Sequence, residues 1–96
     1  MNAKDLIAKL RELKPFVNAR YKAKEIGLFG SFVRGEQDVN SDIDVLVEFK
    51  EDADLFDLMG LTLYLEETLQ RKVDVVPKSA LREELRNSVL LEVVSV

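Results

Sequence analysis

The sequence predicts an α/β (α+β) fold in which a small mixed β-sheet carries helices packed on one face. Two observations support it. Apolar stripes of helical period alternate along the chain with short strand-like apolar runs. The chain has 96 residues and no cysteine, so residues 1–96 read as one domain with one core, held by packing alone.

The elements follow in order. Leu6, Leu10, Leu13 and Val17 recur at spacings of four, three and four, the signature of one face of an amphipathic helix. Pro15 falls inside that stripe and predicts a kink or the start of a second short helix. Lys24 to Phe29 reads as a short strand ending at Gly30, and Phe32 to Gly35 has room for one helical turn. From Ser41 to Phe49 the alternation is clean: Ile43, Val45, Val47 and Phe49 share one face, and Asp42, Asp44, Leu46 and Glu48 the other. Asp52 and Asp54 then offer capping oxygens for a helix over Leu55 to Gln70, with Leu55, Leu58, Leu61 or Thr62, Leu65 and Leu69 as its buried stripe. Gly60 weakens the middle of that helix. Lys72 to Val76 predicts a third strand stopped by Pro77, and Ser79 is placed to cap a last helix carrying Leu81, Leu85 and Val89. The tail LLEVVSV reads as a final strand or a contact surface.

Composition narrows the chemistry by exclusion. Without Cys or His the chain cannot build a zinc finger, a thiol nucleophile or a Ser-His-Asp triad. Catalysis would fall to carboxylates, Lys, Arg, Tyr, hydroxyls, backbone amides and bound metal. A net charge of −4, from 14 basic and 18 acidic residues, argues against broad nucleic-acid binding, which needs a basic footprint. No apolar run approaches the roughly 20 residues of a membrane span, and the N-terminal segment is too charged for a signal peptide. A cytoplasmic protein without membrane association is expected.

Three places concentrate the remaining chemistry. Gly30 and Ser31 follow an apolar strand, where Gly allows close backbone approach and free amides suit a phosphate. Alone, the pair is equally a strand-to-helix turn with Ser31 as its cap. Asp42 and Asp44, two apart on a strand, point the same way with Cα atoms roughly 6.5–7 Å apart. Their carboxylates could converge on a pair of cations roughly 3.5–4 Å apart, or simply form a solvated strand face. Asp74 interrupts the apolar run Val73, Val75, Val76. It would lie beside the other two if its strand pairs with theirs, and is otherwise an edge-strand charge. An oxygen-only cluster favours Mg²⁺ or Mn²⁺ over zinc.

Together, GSFVRGEQDVNSDIDVLVEF over 30–49 and KVDVV over 72–76 resemble the nucleotidyltransferase superfamily that includes DNA polymerase beta. The closer resemblance is to the minimal nucleotidyltransferases paired with HEPN proteins in prokaryotic toxin–antitoxin modules. It implies the nucleotidyltransferase fold and transfer of a nucleoside monophosphate, AMP from ATP being the expected case, by a two-metal mechanism. Gly30 and Ser31 would hold the triphosphate, while Asp42 and Asp44 would ligate two Mg²⁺ (or Mn²⁺) ions. Asp74 would complete the metal nearest the acceptor and help deprotonate its hydroxyl. Arg34 and Gly35 match the RG of the branch, leaving Arg34 either to contact phosphate or to pin the loop through a carboxylate such as Glu36. The chain has no residues left for an acceptor-binding module, so the acceptor is expected on a partner, a hydroxyl of a cognate HEPN toxin. The alternatives are a catalytically silent antitoxin that acts by occlusion and a nucleotidyltransferase for a small molecule.

Overall fold

The computed structural model describes residues 1–96. The chain runs α1 (Ala3–Tyr21), β1 (Ala23–Phe29), α2 (Ser31–Arg34), β2 (Ile43–Phe49), α3 (Leu55–Leu69), β3 (Val73–Pro77), a 3₁₀ turn (Lys78–Ala80), α4 (Glu83–Glu92) and β4 (Val94–Ser95). The four strands form one mixed sheet in the order β3-β2-β1-β4. β1 pairs antiparallel with both β2 and β4, while β2 and β3 run parallel. The parallel pair follows from the intervening α3, which returns the chain to the start of the sheet. The expected mixed sheet with helices is what forms, α1 and α3 packing on one of its faces. No helix is long and apolar enough to cross a membrane.

The core lies between the sheet and the pair α1 and α3. Leu6, Leu10 and Val17 of α1 and Leu61, Leu65 and Leu69 of α3 meet Ile26, Leu28, Ile43, Val45, Val47 and Val73, all buried. Burying one such side chain contributes about 1.5–3 kcal/mol, so this layer fixes which sheet face is left for chemistry.

Several local expectations yield to packing. Pro15 neither breaks α1 nor starts a new helix, because it lies within a helix continuous from Ala3 to Tyr21. Buried Leu10 and Val17 flank it on the core face, and their burial outweighs the intrahelical hydrogen bond that proline removes. In α3 the cap is Asp54, in a reciprocal box with Asp57. Leu55, placed in the buried stripe by its spacing, is 66% exposed at the first position of the helix. Pro77 is the last residue of β3 rather than a stop before it. That strand is the sheet edge, where a missing N–H leaves no partner unsatisfied. Ser79 caps nothing: it sits in the 3₁₀ turn, and α4 starts after Arg82 without a side-chain cap. The stripe Leu81, Leu85, Val89 does not form a buried face either, since α4 buries no residue. Of the tail, Leu90 to Glu92 close α4, and only Val94 and Ser95 form a strand, paired with Leu28 and Gly27.

Gly60 has a tertiary reason. A Cβ there would stand 2.7 Å from Tyr21 Cε1, and the Tyr21 ring is hemmed by Phe16 and Tyr64 at centroid distances of 6.2 and 5.8 Å. In an open helix Gly→Ala would stabilise by about 1 kcal/mol. Gly60→Ala is instead expected to destabilise by about 1 kcal/mol through overpacking, measured by urea unfolding; a stabilised variant would show the ring to be free to move.

Candidate active site

The face of the sheet turned away from α1 and α3 carries the acidic residues. The register pairs Phe29 with Asp44 and Asp44 with Asp74. Directly opposed residues on neighbouring strands share a face, so the two carboxylates stand side by side although 30 positions separate them. Asp42 is not on the strand as its alternation suggested. It precedes β2, whose pairing with the β3 side begins at Ile43 N–H, donated to the Lys72 carbonyl at 3.0 Å. Asp42 is still close enough to act on Asp44 electrostatically. The Asp44 carboxyl is pushed above its ordinary value, first by burial, then by the negative charges of Asp74 and Asp42, with Arg34 pulling the other way.

No three acidic side chains are gathered into a ready metal cage. Repulsion among like charges opposes that convergence until a cation offsets it. The donor set suits such a cation: half-buried Asp42 and Asp44 and exposed Asp74, all oxygen and without soft ligands.

The turn after β1 lies against this row. Gly30 has φ 83° and ψ −153°, a region essentially restricted to glycine. A Cβ at Gly30 would collide with Asp44 Oδ2, so this glycine is needed twice, for its backbone and for the approach of the aspartate. Gly30 itself is the N-cap of α2 and Ser31 the first helical residue, which corrects Ser31 as the cap. Phe32 fills the core beneath the turn, and Gly35 closes it with φ 72°.

Arg34 pins the loop. Its Nε donates to Glu36 Oε1 at 2.6 Å and its Nη1 to Glu92 Oε1 at 2.9 Å. Glu92 also accepts the Gly30 amide at 2.8 Å. These contacts raise the Arg34 guanidinium, through Glu36 first and Glu92 second. They hold the Glu92 carboxyl below its usual value, with the Gly30 N–H the main cause. Sequence reasoning found Glu36 but missed Glu92, which lies 62 positions from Gly30 in a tail that no local pattern ties to the turn. It also missed Arg71. Arg71 donates to the carbonyls of Asp38 and Ser41 at 2.8 and 3.1 Å and stacks 5.1 Å over Phe32. It thereby ties the loop before Asp42 to the core.

The nucleotidyltransferase domain family matches residues 10–96. The protein adenylyltransferase MntA of Thermococcus cleftensis is 45% identical over 83 residues, covering 86% of this chain and 84% of that protein. A solved structure, provisionally assigned as a minimal nucleotidyltransferase, superposes with a TM-score of 0.86 at 36% identity, covering 100% of this chain and 97% of the other. A crystal structure of a toxin–antitoxin with AMP-PNP contains a similar chain, with a TM-score of 0.70 at 29% identity over 99% of this chain and 72% of that one.

Proposed function

Because the chain belongs to the nucleotidyltransferase domain family, we propose that it transfers AMP from ATP to a hydroxyl of a partner protein, a HEPN toxin that it thereby neutralises as antitoxin. The observation that carries this reading is the in-register pairing of Asp44 with Asp74, together with the close approach of Asp44 to the Gly30 turn. The similarity to an MntA protein adenylyltransferase and to a chain from a toxin–antitoxin complex with AMP-PNP supports the donor and the kind of acceptor.

The residues divide the work by position. Gly30, Ser31 and Arg34 receive the triphosphate at the turn, with amide, hydroxyl and guanidinium donors. Asp42, Asp44 and Asp74 would hold Mg²⁺ or Mn²⁺, which when bound neutralises developing phosphate charge and makes the attacking hydroxyl more acidic. Asp74, exposed at the edge strand, is the carboxylate open to an incoming acceptor and takes up its proton. The acceptor oxygen bonds to the α-phosphorus as the bond to the pyrophosphate leaving group breaks. The protein contributes alignment and electrostatics. Modification adds bulk and negative charge to the toxin.

Incubating the purified protein with ATP labelled at the α-phosphate, Mg²⁺ and the product of the neighbouring reading frame tests this. Label should move to the partner, and mass spectrometry should find an AMP adduct on a hydroxyl side chain. Stable complex formation without any adduct would replace this reading with a silent antitoxin that acts by occlusion.

A further inference from the structure

The side chain that fills the phosphate turn belongs to the chain itself. Glu92 brings one carboxylate oxygen to the Gly30 amide at 2.8 Å and the other to Arg34 Nη1 at 2.9 Å. A carboxylate and a phosphate seek the same charge-assisted donors, and two donors set for one anion leave little for a second. Glu92 also adds negative charge beside Asp44, on a face that already carries Asp42 and Asp74. Its presence therefore opposes a triphosphate both by occupying donors and by repulsion.

The element that delivers Glu92 is lightly held. α4 buries no residue, and Leu85, Leu90 and Leu91 on it are 50%, 38% and 89% exposed. Beyond it, β4 is two residues long. The end of the chain is secured by Val96 N–H on the Ile26 carbonyl and Lys14 Nζ on the Val96 carbonyl, both at 3.0 Å. Segments with few buried apolar contacts open at lower free energy than the core.

We propose that Glu92 is an internal stand-in for nucleotide phosphate, holding the Gly30 N–H and the Arg34 guanidinium until a nucleoside triphosphate expels it together with the end of α4. This rests on Gly30 and Arg34 being triphosphate contacts. The protein is then self-masked, and whatever draws α4 away, nucleotide or partner, opens the site.

The test measures binding of α,β-methylene ATP, which cannot release pyrophosphate, with Mg²⁺ present, to the full chain and to Glu92→Gln and Arg34→Ala. Glu92→Gln keeps the shape and removes the charge, and should bind about two- to fivefold more tightly, the effect of losing one competing ion pair. Arg34→Ala should bind more weakly. Equal or weaker binding by Glu92→Gln, with Arg34→Ala weakened, overturns the inference and makes Glu92 a support of the turn. Unchanged binding by Arg34→Ala overturns the underlying assignment of Arg34, and the inference with it. Hydrogen exchange on the wild-type chain supplies an arm that needs no variant. Amides over residues 89–96 should lose protection when the analogue is added, and unchanged or increased protection there overturns the inference as well.

Discussion

Asp44→Asn is expected to lower nucleotidyl transfer by roughly 10³-fold or more while raising the melting temperature of the metal-free protein. The loss follows from deleting the central carboxylate of the row, since cation stabilisation of the transition state contributes several kcal/mol and each 1.36 kcal/mol is about tenfold in rate. The gain follows from the crowding. Burial, Asp74, Asp42 and Glu92 all raise the Asp44 carboxyl above its ordinary value of 3.8, against Arg34 alone. The folded state therefore holds this proton more tightly than the unfolded one. Stability is greatest below 3.8 and declines as the pH rises through the higher folded value, remaining lower at neutral pH. Asn carries no such charge. The gap in melting temperature between variant and wild type should open with rising pH, and Mg²⁺ with nucleotide should narrow it by stabilising only the wild type. Thermal melts across pH, paired with the transfer assay, check both halves. A variant with full activity, or one less stable than wild type at neutral pH, would remove Asp44 from the centre of the site.

Gly30→Ala is expected to be the most damaging single-methyl change in the chain. Alanine at φ 83° and ψ −153° carries strain of about 1–3 kcal/mol, and its methyl would meet Asp44 Oδ2. Asp44 cannot move away easily, because it lies in β2, flanked by strands on both sides and by buried Ile43 and Val45. A combined loss of about 3 kcal/mol or more is expected, with nucleotide binding lost as the turn and the aspartate separate. Gly35→Ala is the control. It too has positive φ, 72°, but nothing stands within 4 Å of its Cβ. It should cost only about 1–2 kcal/mol of backbone strain and retain transfer. Urea unfolding of the two variants, with nucleotide titration of each, separates strain from collision. Equal behaviour would show that the approach of Asp44 to Gly30 does not matter.

Much of the site was legible because its parts are short-range. The alternation of β2 assigned Ile43, Val45 and Val47 to the core and Asp44 to the opposite face, and all three apolar residues are buried. Glycine before serine at the end of an apolar strand announced a strand-to-helix turn, and Gly30 caps one. The lack of Cys and His left carboxylates as the ligands to consider. Errors gathered where a second element intervenes. Leu55 has the spacing of a buried residue but stands exposed at the start of α3, Ser79 has the chemistry of a cap but lies in a 3₁₀ turn, and Pro15 is carried within α1.

By itself the sequence determined which stretches alternate and which coil, where the strand turns into a short helix, and which atoms are present for chemistry. Each of these is set by sterics and periodicity within a few residues. The tertiary structure alone decided that Asp74 stands opposite Asp44 rather than one residue out of register, that Tyr21 occupies the space beside Gly60, and that Glu92 reaches Gly30 and Arg34. Those contacts join positions far apart along the chain. Their energies come from packing the whole sheet against α1 and α3, so no local window of residues contains them.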